Sequence, residues 1–106
     1  MHGKSIVVDI DGNLTIKEHI RPPTLDWLQK TVDGPIEQVP YFGSYKYQGA
    51  LMRCVAYCNE EGKLHGLPVN EAATVLWQNS TRGELRDILV GNVVILFGDD
   101  AFMREL

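Results

Sequence analysis

Apolar and polar residues alternate near the start of the chain in a way that predicts a β-hairpin. Residues 5–10 are rich in β-branched side chains, and residues 14–20 alternate apolar with polar at a period of two. Between these runs, Asp11, Gly12 and Asn13 are residue types that tolerate the positive φ of a tight turn. The opening segment is therefore predicted to form two antiparallel strands.

Helical periodicity follows at two places. Thr24 is a good cap for a helix whose apolar residues recur every three or four positions, and Gly34 can end that helix in the left-handed conformation. Asn70 can cap a second helix that runs to about Gln78. Both predicted helices are short.

The remaining apolar runs predict further strands. They cover residues 36–40, 51–58, 85–89 and 93–97. The predicted order is β-β-α-β-β-α-β-β, and the connections are too short for parallel crossovers. We therefore expect an α+β fold with a largely antiparallel sheet of five or six strands and two short helices.

Length and composition limit the possible functions. A chain of 106 residues, 44% of them hydrophobic, predicts a single domain over residues 1–106. It contains no apolar run of the roughly 20 residues that span a bilayer, and its first residues lack the apolar stretch of a signal peptide, so a cytoplasmic location away from membranes is expected. Ten basic residues against fourteen acidic ones make nucleic acid an unexpected partner.

Cys54 and Cys58 are expected to be free, buried thiols. They lie four residues apart in a predicted strand, a separation of roughly 13 Å that exceeds the reach of a disulfide. Their spacing is not C-x-x-C, and the histidines show no matching ligand pattern. The sequence therefore predicts no metal site and no cofactor.

One motif suggests an enzyme. Residues 6–12, an apolar strand followed by D-x-D-G, resemble the opening of haloacid-dehalogenase-like phosphotransferases, in which the first carboxylate attacks phosphorus. That resemblance implies Mg²⁺-dependent phosphate chemistry at Asp9 and Asp11. The alternating strand at residues 14–20 favours a hairpin turn instead, because the enzyme fold requires a helix and a parallel sheet there. We therefore predict no catalytic residues, with the phosphate-handling enzyme as the alternative.

Three stretches of the chain together resemble a known family. They are residues 25–40 with G-x-I-E-x-V, residues 59–74 with N-E-E-G-K-L-x-G-L-P-x-N, and residues 87–95 with D-I-L-V-G-N-V-V-I. This order is similar to domain-of-unknown-function family 3846, small proteins of phages, prophages and mobile elements. The resemblance implies a mobile-element origin and no particular activity.

The central stretch of this resemblance, the N-E-E-G motif, has two interpretations. As a binding loop, it would grip a small polar ligand with Asn59, Glu60, Glu61, Lys63 and Asn70. As a structural element, Asn59 would complete a turn, Leu64 and Leu67 would fill the core, and Asn70 would cap a helix.

The segment before it concentrates aromatic residues between glycines. Its aromatic side chains are Tyr41, Phe42, Tyr45 and Tyr47. They either present a binding surface for a protein or fold back to cover the core of a small domain.

Together these observations predict a non-enzymatic accessory protein of a phage or mobile element. It would bind a host or defence protein, or a small nucleotide-like ligand. A purely structural or oligomerisation module is a further alternative, since residues 93–97 at a sheet edge would favour a symmetric dimer.

Overall fold

The computed structural model describes residues 1–83 and 86–106, which form an α+β domain. Its elements, in chain order, are β1 (Gly3–Val8), β2 (Leu14–His19), α1 (Leu25–Val32), β3 (Ile36–Gln38), β4 (Ser44–Tyr47), β5 (Ala50–Arg53), β6 (Val55–Asn59), α2 (Glu71–Ser80), β7 (Val93–Gly98) and α3 (Asp100–Arg104). The α+β class and the predicted antiparallel sheet are confirmed.

Five strands form the main sheet in the order β2-β1-β7-β6-β3, and every neighbouring pair is antiparallel. The separate β4-β5 hairpin forms a two-stranded sheet. The central strand is β7, whose first five residues are all buried. An unbroken apolar run is typical of a strand covered on both faces. Residues 93–97 are therefore not at a sheet edge, and the condition under which they would favour a symmetric dimer is not met.

Each face of the sheet has its own hydrophobic core. On one face, Ile6 and Ile95 pack with Trp77 of α2, and the β4-β5 hairpin covers the same side. On the other face, Leu96 packs with Leu28 of α1 and Phe102 of α3. Since successive strand residues point to opposite faces, β7 supplies both cores.

The first helix begins and ends close to the predicted residues. The Thr24 hydroxyl accepts a hydrogen bond from the backbone N–H of Trp27 at 3.1 Å, so Thr24 caps α1, as predicted. The left-handed residue at the end of α1 is Asp33 (φ 63°), so the prediction that Gly34 takes this conformation is wrong. Gly34 is needed for space, because a Cβ there would lie 2.6 Å from Asn59 Nδ2.

Three further predictions need correction. Residues 51–58 do not form one strand, because Cys54 N donates to Gly43 O and the chain passes there from the hairpin into the main sheet. A strand was also predicted at residues 85–89, but residues 86–89 form no strand, and Val90 makes an isolated bridge to Val69; residue 85 lies outside the described residues. The sequence prediction also missed β4 and α3.

A buried hydroxyl and an imidazole meet between β1 and β2. Ser5 is fully buried, and its Oγ lies 2.7 Å from His19 Nε2. The His19 ring also contacts Trp27 edge to face, with 5.8 Å between ring centroids. Burial, together with the charge of Lys17, lowers the pKa of His19 below its ordinary value of 6.5.

This lowered pKa predicts an early loss of stability in acid. Below pH 6.5 the unfolded chain takes up a proton that folded His19 resists, so the free energy of unfolding should begin to fall there. In H19Q this contribution is absent, and the decline should be shallower until the carboxylates titrate. Urea denaturation of both proteins across this pH range measures the effect. Identical slopes below pH 6.5 would contradict it.

Candidate functional site

A surface pocket of about 280 Å³ lies beside the N-E-E-G motif. It is bounded by the paired strands β3 and β6, by α2, and by the segment at residues 87–90. The described lining residues are Glu37, Val39, Pro40, Cys58, Asn59, Glu60, Lys63, Trp77, Asp87, Ile88, Leu89 and Val90. This volume is near the lower end of the roughly 300–1,000 Å³ of small-molecule sites.

The charged lining of the pocket is predominantly acidic. Glu37, Glu60 and Asp87 supply three carboxylates, and Lys63 supplies one ammonium group among the described lining residues. Lys63 Nζ lies 2.6 Å from Asp87 Oδ1, an ion pair in which both side chains are about half exposed. The Lys63 hydrogen bond and the backbone N–H of Ile88 lower the pKa of Asp87. The charge of Lys63 is thus already balanced within the protein.

The apolar part of the pocket comes from one of the two cores, the one that contains Trp77 of α2. Val39, Trp77 and Leu89 are buried there. Trp77 is held in place because its Nε1–H donates to Pro40 O at 2.8 Å. The combination of an apolar floor with a few charged groups is typical of small-molecule sites.

Cys58 also lines the pocket, but as a protonated thiol. Burial and the nearby Glu37 carboxylate raise the pKa of Cys58 to about 11, and burial raises that of Cys54 to about 12. Both cysteines are free, as predicted, but only Cys54 is buried, and Cys58 is half-buried. Since the thiolate is the nucleophile, neither cysteine is activated for covalent chemistry at neutral pH.

Asn59 lines the pocket, but its side chain is occupied by structural contacts. Its Nδ2 donates to Val32 O at 3.1 Å and to Asp33 O at 2.9 Å, and its Oδ1 accepts from Glu61 N at 2.8 Å. These bonds join the end of α1 to the motif turn. Asn59 therefore positions the pocket wall. Of the predicted loop residues, Glu60 and Lys63 are the ones that contribute charges to the pocket.

Asn70 lies in the core, away from this pocket. Its Nδ2 donates to Val8 O at 2.9 Å and to Gly91 O at 2.8 Å, and its Oδ1 accepts from Ala73 N at 3.0 Å at the start of α2. The structure thus confirms Asn70 as the helix cap. It does not bring Asn70 together with the other predicted loop residues.

Two other residues of the motif also lie outside the pocket lining. Glu61 Oε2 lies 3.5 Å from Nε2 of His65, four residues later. Leu64 is largely exposed, so the prediction that it fills the core is wrong, whereas Leu67 is partly buried against Gly62 and Gly91. Three of the five predicted loop residues, Asn59, Glu60 and Lys63, line the pocket.

Glu37, Trp77 and Asp87 are pocket residues that the sequence analysis did not select. Glu37 and Asp87 belong to the first and third family-like stretches, and they are far from Lys63 in the sequence. The fact that both residues lie in family-like stretches was the signal in the sequence that could have indicated them as site residues. No local spacing rule brings them together, because the pocket depends on the pairing of β3 with β6.

The aromatic segment lies mostly against the sheet. Phe42 is buried, and the Tyr45 and Tyr47 rings pack on Phe97 with centroid distances of 6.0 and 5.2 Å. These three residues cover the core. Tyr41 differs, because its side chain is 79% exposed and its backbone has a positive φ of 62°.

The D-x-D-G motif forms the turn of the β1-β2 hairpin. Asp9 Oδ1 accepts the backbone N–H groups of Asp11 and Asn13, both at 2.9 Å. These hydrogen bonds lower the pKa of Asp9. The first carboxylate of the motif thus stabilises a hairpin turn, which is the interpretation that the alternating strand favoured.

Comparison with known proteins gives one match. The family model for the domain of unknown function DUF3846 matches residues 2–104. The chain belongs to this family. No curated protein matches the chain, and no solved structure does.

In the described part of the chain, none of the helices has the length and apolar character needed to cross a bilayer. The same residues contain no group of three or more His, Cys, Asp or Glu side chains placed to hold a metal ion.

Proposed function

We propose that this DUF3846 protein acts by binding, and that its ligand is a small polar molecule held in the pocket beside the N-E-E-G motif. The observation that supports this most strongly is the convergence of Glu37, Glu60, Lys63 and Asp87 around an apolar floor. These residues come from three separate parts of the chain: β3, the N-E-E-G motif and the segment at residues 87–90. A preformed pocket with a few converging polar groups is the usual form of a ligand site.

The charges around the pocket narrow the ligand chemistry. Three carboxylates would repel a polyphosphate, and the one lysine is already paired with Asp87. Neutral or cationic ligands that carry amino groups would find acceptors at Glu37 and Glu60, and a planar ring would lie on the apolar floor. Within the nucleotide-like class, a nucleoside fits these groups better than its triphosphate does.

Native mass spectrometry of the protein purified from the cells that naturally produce it tests the proposal first. A retained small-molecule adduct is expected, and its mass identifies the ligand class. Isothermal titration with adenosine and with ATP as probes then tests the charge argument, with adenosine expected to bind more tightly. A protein without an adduct, or a preference for ATP, would contradict the proposed site.

Two neighbouring glutamates provide a matched pair of variants. E60Q removes a carboxylate that lines the pocket, whereas E61Q changes the adjacent residue outside the lining. Glutamine keeps an oxygen that accepts a hydrogen bond, so E60Q loses only the difference between a charged and a neutral hydrogen bond, about 1–1.5 kcal/mol, and should weaken binding of the retained ligand about 5- to 10-fold. E61Q should bind as the wild type does, and equal effects of the two variants would place the ligand elsewhere.

A host or defence protein as partner is the second candidate, and one observation favours it. Tyr41 exposes its ring while its backbone holds a conformation that costs a bulky residue energy. Exposed tyrosines are frequent anchors of protein interfaces. An attached protein in the same mass spectrum would favour this candidate. The role proposed with it is that of a cytoplasmic accessory protein of a phage or mobile element.

The alternative of Mg²⁺-dependent phosphate chemistry at Asp9 and Asp11 has less support. Asp9 Oδ1 already accepts two backbone hydrogen bonds, and the motif turns into β2 rather than into a helix.

A further inference from the structure

The outer edge of β2 is unpaired in the described chain. The bond from Asp9 N to Asn13 O at the turn fixes which residues of β2 bond inward to β1. Because hydrogen-bonded residues alternate along an antiparallel pair, Thr15, Lys17 and His19 face β1. The backbone N–H and C=O groups of Leu14, Ile16 and Glu18 therefore point outward, where they can pair with another strand.

The two edges of the sheet differ in how well they resist such pairing. The opposite edge strand, β3, has three residues and is followed closely by Pro40. In contrast, β2 has six residues in unbroken register with β1 and contains neither proline nor glycine. Short strands, prolines and charged side chains protect natural sheet edges. β2 is neither short nor interrupted by proline, and its two charged side chains are engaged within the chain, Lys17 over the Trp27 ring and Glu18 with Lys4.

The side chains along β2 are also unusually apolar for an exposed edge. Leu14 and Ile16 are 49% and 48% exposed, and they lie opposite Val8 and Ile6, on the face of the sheet that α2 covers. Their apolar surface continues one core of the protein to its outer rim. A strand added at this edge would bury both side chains further.

We propose that β2 pairs antiparallel with β2 of a second copy of this chain, about a twofold axis at Ile16, to form a continuous ten-stranded sheet. In this register Ile16 lies opposite Ile16 of the second copy, and Leu14 lies opposite Glu18. The side chains of Leu14 and Ile16 from both copies then form one apolar strip on a single face.

The positions of the charged side chains and the number of β2 residues that pair favour this register over its neighbours. With the axis at Ile16, Lys17 lies opposite Thr15, and Glu18 keeps its ion pair with Lys4 at 2.7 Å. An axis at Lys17 would place two lysines directly opposite each other, which is unfavourable. An axis at Thr15 would overlap only residues 14–16 of each strand, against residues 14–18 for the axis at Ile16.

Sedimentation velocity over a range of protein concentrations tests the proposal. The wild type should be a dimer, and I16K should be a monomer at concentrations where the wild type is dimeric, because two lysines would then meet at the axis. L51K is the matched control, since Leu51 is 75% exposed on β5 and lies outside β2. Circular dichroism establishes that both variants are folded.

Cysteine crosslinking tests the register. Directly opposed residues have Cα atoms about 5.5 Å apart in a hydrogen-bonded pair, as for Ile16 with Ile16, and about 4.5 Å apart in a non-hydrogen-bonded pair, as for Thr15 with Lys17. Both distances are within disulfide range. Oxidised I16C should therefore form a covalent dimer, whereas T15C alone should not, and an equimolar mixture of T15C and K17C should. A monomeric wild type, an I16K dimer as stable as the wild type, or a β2 edge that pairs only with a strand of another protein would overturn the proposal.

Discussion

Replacing Phe102 with alanine should destabilise the protein by about 3–5 kcal/mol, as expected for a fully buried phenylalanine. The ring joins α3 to the sheet, and it packs with Val94 and Leu96 of the central strand. It also lies over two glycines, because a Cβ at either Gly3 or Gly98 would overlap atoms of the ring. Urea denaturation measures the loss.

Two further variants separate this packing from the helix itself. G98A should also be destabilising, because its Cβ would meet His2 O at 2.5 Å and Gly3 Cα at 2.7 Å, both backbone atoms. R104A changes an exposed residue of the same helix, so its effect should stay within about 0.5 kcal/mol. If F102A lost no more stability than R104A, the packing of α3 on the sheet would not contribute to the stability of the protein.

Replacing Asn70 with alanine should cost at least about 3 kcal/mol through lost hydrogen bonds. Removal of a helix cap costs about 1 kcal/mol, and each buried polar group left without a partner costs about 1–3 kcal/mol more. Asn70 is fully buried, and it joins α2 to Val8 of β1 and to Gly91 before β7. One side chain thus connects three elements, and thermal or urea unfolding measures its contribution.

Asn70→Asp separates the two roles of this side chain. An aspartate keeps an oxygen that can accept from Ala73 N, but it has no donor for the carbonyl groups of Val8 and Gly91. N70D should therefore be at least as destabilising as N70A. N79A, at an exposed position of α2, is the control, with an expected change below about 0.5 kcal/mol. A fully stable N70D would show that the cap alone accounts for the effect.

Local patterns in the sequence predicted the parts of the fold that depend on local physics. The β1-β2 hairpin followed from strand alternation around a turn of Asp, Gly and Asn residues. The caps at Thr24 and Asn70 followed from their side-chain chemistry. The apolar run at residues 93–97 predicted a strand, but its burial on both faces was also visible in the missing alternation.

The remaining parts depend on contacts between distant residues. Helix α3 has five residues and is held by the burial of Phe102, although its cap, Asp99, was a usable local signal. The division of residues 50–59 into two strands depends on the bond from Cys54 N to Gly43 O. The pocket likewise forms only when the folded sheet brings distant residues together. The sequence therefore indicated Glu60 and Lys63 but not Glu37 or Asp87.

The position of β7 at the centre of the sheet also limits how the protein can fold during synthesis. Gly3 pairs with Gly98, so a nascent chain must extend past residue 98 before β1 can find its second neighbour. Until then both edges of the β1-β2 hairpin lack partners, and such long-range strand pairing is intrinsically slow. During this interval the newly made chain is most vulnerable to pairing with the wrong strand.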